Sequence, residues 1–236
     1  MLKPYAVACL AALGAKASGT CELFLPSNAA CRDHLQRLGL PNWYRGSADA
    51  SIAVRDTNLV AQQLTDRPGT FSDEAIAVLC QQLDLSVGVA EGLATHLDEV
   101  ILNALTHSDS PVGCFVVGQA FPTKQTVEIT VLDFGQTIRG HLTSNPKHEG
   151  ITTDREAILS ATEEGVTGTV VHNRWGEVNS GIGLFELRKY CESGGGKMAI
   201  LSGGNYLTFG SENSASAHRF NGHFAGCLVN IQFFAR

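Results

Sequence analysis

Residues 97–108 read LDEVILNALTHS and place Glu99, Asn103 and His107 at four-residue steps within an apolar pattern. In an α-helix, side chains four apart lie one above the other, so this spacing predicts a single polar stripe. The surrounding segment, from about Gly88 to Ser108, reads as one long helix. Leu93, Leu97, Val100, Ile101 and Ala104 form its buried side, and Glu99, Asn103 and His107 border that side. His96 falls beside the same stripe. A polar border is ordinary for an amphipathic helix, so its meaning depends on what the rest of the chain brings to it.

Upstream, Ser72, Glu74 and the apolar positions Ile76, Val78, Leu79 and Leu83 predict a helix with Ser72 as its cap. Downstream, Thr126 to Leu132 (TVEITVL) alternates and is rich in β-branched residues, which predicts a strand. It delivers Asp133-Phe134-Gly135-Gln136-Thr137-Ile138. An acid beside a glycine at a strand end suits ligand contact, because the missing side chain admits a planar ring close to the backbone. Arg139 to about Ser180 is polar and irregular, with one helix expected at Asp154 to Glu163; a connection of that length reads as a lid. It ends in Gly181-Ile182-Gly183-Leu184, which opens an amphipathic helix through Tyr190. Glycines before a helix expose unpaired N–H groups at the positive dipole end, as a polyphosphate requires. Lys197 to Ser202 and Gly226 to Phe234 read as strands, antiparallel neighbours in the sheet begun by 126–132.

The first 70 residues read as a small α/β lobe ending at the turn Arg67-Pro68-Gly69-Thr70. Its expected parts are an amphipathic helix beginning at Pro4, a strand at Cys21–Pro26, a helix from Asn28 to Leu38 ended by Gly39, and a strand at Ala50–Val54. The opening MLKPYAVACLAALGAKASG mimics a secretory signal, but its basic region is thin, and a helix packed on a sheet is the preferred reading.

Composition bounds the rest. The chain has 236 residues, 44% of them hydrophobic, which suffices for a substantial core. A net charge of -6 makes nucleic acid an unfavourable general partner. No apolar run approaches the ~20 residues of a membrane span. Seven scattered cysteines without a CxxC pair fit reduced, buried thiols in a cytoplasmic protein. His218 and His223, in HRFNGH, read as a loop without zinc-ligand spacing.

Taken in order, E-x3-N-x3-H on a helix, D-x-G-x-x-I after a strand, a long lid, G-x-G-L opening a helix and two final strands resemble the GHKL ATP-binding domain. That domain is shared by gyrase, large heat-shock chaperones, histidine kinases and MutL. The resemblance covers about residues 72–236, and 1–70 looks more loosely like the region preceding such a domain in stand-alone bacterial ATP-binding proteins.

The resemblance implies a two-layer α/β sandwich of the Bergerat type, with a mixed, mostly antiparallel sheet and a lid at about 139–180. It also implies ATP and Mg2+ as ligands. Asn103 would be the magnesium ligand, and Glu99 the residue that polarises the attacking water. Asp133 would accept from the adenine amino group, and Gly135 would pass beneath the ring. Gly181 and Gly183 would bring N–H groups to the phosphates, with Ile138 and Leu184 closing the two ligand-contacting motifs. Arg188 or Lys189 would add charge or remain solvated. Thr137 replaces the family's second glycine in the first motif, and Cys227 replaces a threonine near the last strand, a role for which Thr208 is a candidate substitute.

The implied function is an ATPase that acts as a nucleotide-dependent switch on a protein partner, with a second copy of the chain as one candidate partner. An anti-sigma-type serine kinase and a non-hydrolysing ATP sensor are the alternatives.

Overall fold

The computed structural model describes residues 2–17, 20–44, 57–67, 69–168, 181–211 and 215–235. The expected strand at Ala50–Val54 lies outside the described residues. At the centre is a five-stranded antiparallel sheet in the order β1-β2-β3-β5-β4, formed by β1 (Asn58–Leu64), β2 (Cys114–Phe121), β3 (Thr126–Asp133), β4 (Gly196–Phe209) and β5 (Ser216–Phe234). Register pairs Cys114 with Asp133 and Asp133 with Cys227, so these three residues form one row across β2, β3 and β5. Successive strand residues point to opposite faces. Val127, Ile129, Val131 and Asp133 therefore share the front, and Glu128, Thr130 and Leu132 the back.

The front is covered by α3 (Phe71–Leu83), α4 (Val87–Thr106) and α7 (Gly183–Tyr190). Leu97, Val100 and Ile101 of α4 pack there against Ile129, Val131 and Ile231 in the main core. Each large side chain so buried stabilises by roughly 1.5–3 kcal/mol. α5 (Ile138–Thr143) and α6 (Asp154–Ala161) lie within the stretch read as a lid. Thr153 and Glu156 form a capping box at the start of α6. On the back, α1 (Pro4–Lys16) seats Val7, Ala8, Ala11 and Ala12 against Phe115, Val117 and Leu132, while α2 (Ala29–Arg37) adds Leu35. The molecule is an α/β sandwich with helices on both faces, and β1 from the first 70 residues is an edge of the common sheet.

Several elements depart from their sequence reading. β1 and β2 carry no strand signal in the sequence as read. β2 (CFVVGQAF) is buried along nearly its whole length because helices cover both faces, so it lacks the alternation that marks a half-exposed strand. Cys21–Pro26 is irregular apart from one bridge at Glu22. Leu23 and Leu25 pack against the back core while Phe24 is 87% exposed, so the segment's alternation reflects a chain lying on the core without a ladder partner. Thr70, not Ser72, is the N-cap residue of α3. The Ser72 hydroxyl donates instead to the Asp98 carboxylate, joining α3 to α4. The HRFNGH segment is strand, with the His218 ring stacked on Tyr206.

Both final strands run longer than expected, and β4 doubles back. Fourteen extended residues would separate its ends by roughly 45 Å, yet a Cβ at Gly210 would stand 3.4 Å from the Lys197 side chain. The reversal falls at Gly203-Gly204, where the β4–β5 register breaks and the Asp154 carboxylate accepts from the Gly204 N–H at 2.8 Å. It lets Leu207 and Phe209 join Met198 and Ile200 in one core.

Candidate functional site

Between the front of β3–β5 and the helices α4 and α5 lies a cavity of about 110 Å³. A single water needs roughly 10–15 Å³ on the same measure, so the space suits a much larger group. Four separated segments supply the positions expected from the sequence: Asn103 from α4, Asp133 from the end of β3, Ile138 from the start of α5, and Gly181 with Leu184 around the start of α7. Val131, Cys227 and Val229 form its sheet floor, and His107 and His141 line it from α4's end and from α5.

Asp133 is the charged group of this floor. It is 3% exposed, and its Oδ1 accepts from the Gly135 N–H at 2.9 Å. Burial pushes its carboxyl up to about 7, against the opposing pull of the Gly135 and Cys227 backbone groups. Near neutrality it therefore exists as both acid and carboxylate, so it can accept from an amino group or donate to a ring nitrogen. Burial, and then the Asp133 charge, raise the Cys227 thiol well above its usual value, so that position presents a neutral S–H.

Five residues named from the sequence, Glu99, Gly135, Gly183, Arg188 and Lys189, lie outside the lining. Gly135 is pressed on the end of α4, where a Cβ would overlap the Ser108 carbonyl; its smallness serves that close approach. The next residue's N–H, at Gln136, donates to the same carbonyl at 2.5 Å. Glu99 accepts from the Gly183 N–H at 2.6 Å, so acid and glycine meet at the N-terminus of α7. A Cβ on Gly183 would stand 2.6 Å from that of Glu99, and this contact requires glycine. Arg188 pairs with Glu192 at 2.8 Å and Lys189 with Glu186 at 3.4 Å, and neither lines the cavity.

Two contributors went unread in the sequence. Ser202, 1% exposed, donates to the Gly226 carbonyl at 2.8 Å and accepts from the Ile138 N–H at 3.0 Å. It ties the start of α5 to the turn before Cys227. Its only signal is register, since Ser202 stands opposite Cys227. Thr208, the candidate substitute hydroxyl, instead pairs with Ser216 in the hairpin. His141 lay within the supposed lid, where no local pattern ties it to His107. Yet the two rings stack with centroids 4.5 Å apart.

Comparison with protein-family models, curated proteins and solved structures returns no match. The chemistry must be read from the site alone. The cavity offers an apolar sheet floor, one buried acid at its end, an amide one helix away, and backbone at Gly181 with its own close approach to Val166. Such a set suits a planar, nitrogen-bearing ring attached to a polar tail. Among the described residues no three His, Cys, Asp or Glu side chains cluster as a metal cage. Magnesium needs none when phosphate oxygens and water complete its octahedron, and the Asn103 amide oxygen is a suitable hard donor.

Proposed function

We propose that the cavity binds ATP with magnesium, that the sandwich is of the Bergerat type, and that the chain is a GHKL-like ATPase switching a protein partner. The observation that carries this reading is the convergence of Asn103, Asp133, Ile138, Gly181 and Leu184 on one cavity. In this assignment the adenine lies on Val131 and Val229 with its amino group toward Asp133. Asn103 would hold magnesium, which supplies charge neutralisation to the phosphates when bound. Gly181 and the start of α7 would face the phosphate tail. α5 and residues 166–168, which also border the cavity, are the elements whose position would change with the nucleotide.

Glu99 would orient the attacking water through a carboxylate whose Oε2 also accepts from the Gly183 N–H. That same contact favours a second reading, a non-hydrolysing ATP sensor in which Glu99 is only a cap for α7. Calorimetry with ATP and GTP in magnesium tests the binding claim: ATP should bind, and GTP, whose ring carries a 6-oxo acceptor where adenine carries its 6-amino donor, should not. Phosphate release by the purified chain separates the two readings. In the ATPase, Glu99→Ala abolishes release while ATP still binds. Release equal to wild type removes Glu99 from the chemistry.

A further inference from the structure

Among the described residues lining the cavity there is no lysine or arginine. The side chains there able to carry positive charge are His107 and His141, whose rings stack 20° from parallel. The His141 ring also meets the far wall, since a Cβ at Gly168 would stand 2.7 Å from it. His141 is therefore held between the end of α4 and the chain at 166–168 while it rides on α5.

Burial lowers both rings. His107 falls to about 4, with the His141 charge as its second cause, and His141 is lowered by desolvation against the raising effect of Asp109. A stacked pair accepts one proton far more readily than two, because the second would place like charges face to face. Among the described residues, the following groups stand around the pair. Asp109 follows α4, and Asp133 stands at the end of β3. Gln136 donates to the His107 carbonyl at 2.6 Å and to Asp109 at 3.3 Å. His148 has its Nε2 3.2 Å from the Thr167 carbonyl. On α5 itself, Arg139 is turned to Asp154 at 3.0 Å and to the Thr152 carbonyl at 2.9 Å.

We propose that His141 is a specificity-determining residue of this cavity: it takes up one proton as a phosphate-bearing ligand enters and becomes that ligand's cationic partner, whereas an uncharged nucleoside leaves it neutral. The inference rests on the nucleotide reading above and adds to it the way phosphate charge is met. The proton comes from the buffer, and imidazole becomes imidazolium with no bond broken in the ligand. Because the ring sits on α5, charge recognition and placement of the α5 wall become one event.

The test is calorimetry of the full chain with magnesium and either adenosine or the β,γ-imido analogue of ATP, in two buffers of different protonation enthalpy at about pH 7.5. The analogue should take up about half a proton or more beyond adenosine, and its affinity relative to adenosine should rise as pH falls from about 8 to about 6.5. His141→Phe keeps an aromatic stack. It should cancel the extra proton and weaken the analogue about tenfold, with adenosine changed less than about threefold. Equal proton uptake for the two ligands in the wild type, or an analogue affinity unmoved by His141→Phe, overturns the proposal. Should neither ligand bind, the nucleotide reading itself fails and the proposal falls with it.

Discussion

Strand β3 buries two carboxylates, five residues apart and on opposite faces, and the molecule treats them differently. Glu128, on the back, is 1% exposed; its Oε2 receives the Lys3 ammonium at 2.5 Å and the Gln232 amide at 3.1 Å. Asp133, on the front, is 3% exposed and is held by backbone N–H groups beside a cavity whose described lining holds no lysine or arginine. Back-face charge is answered from within the chain, and helix α1 closes over it. Front-face charge is left toward open space, an arrangement that lowers stability and suits a ligand.

The largest expected effect tests whether the front face is rigid. Gly135→Ala forces a Cβ into the Ser108 carbonyl, and denaturant unfolding should show a loss above about 3 kcal/mol. An unchanged midpoint would mean that the end of α4 yields.

Next, Lys3→Met leaves Glu128 without its cation. With Lys3 a third exposed, the loss should be about 2–4 kcal/mol, below that of a fully enclosed pair. Adding Glu128→Gln should recover most of it. A double variant as unstable as the single one would show that α1 docks by packing alone.

Asp133→Asn should act in the opposite direction. The folded carboxyl, raised to about 7, keeps its proton where the unfolded one, near 3.9, has lost it. Wild-type stability therefore falls as pH rises from about 4 through about 7. The asparagine variant should be more stable at pH 8 by on the order of 2–4 kcal/mol, converging with the wild type near pH 4. A gap independent of pH would mean that Asp133 carries its charge at no penalty.

The smallest effect belongs to Phe24→Ser, on a side chain 87% exposed. Thermal unfolding should shift by no more than about 0.5 kcal/mol, and a larger loss would place that ring in contact with the fold.

The front face was the more legible in sequence: its helices are amphipathic and keep their periodicity, and β3, though buried along nearly its whole length, still alternates Glu128 and Thr130 with Val127, Ile129 and Val131. α3, α4, α6, α7 and β3 fall within a few residues of their expected ranges. So does α2 on the back, where Asn28 caps the helix by accepting from the Cys31 N–H at 3.0 Å. β2 was not legible because burial on both sides erases alternation, and β1 because Gln62 and Gln63 interrupt its apolar run. The fold-back at Gly203 and the latch at Ser202 depend on register between distant strands, which no local window contains. Within the site, the stripe on α4 pointed to Asn103 and His107. It did not reveal that Glu99, on the same stripe, turns to the Gly183 N–H, because that depends on where α7 docks.

The central claim is that the buried front-face acid recognises a purine amino group. Titration of ATP with magnesium into the wild type and into Asp133→Asn, followed by calorimetry, tests it most directly. The expected result is binding by the wild type, weakened roughly tenfold to a hundredfold in a folded Asp133→Asn protein. No heat with the wild type, or equal affinity for the two proteins, would contradict it.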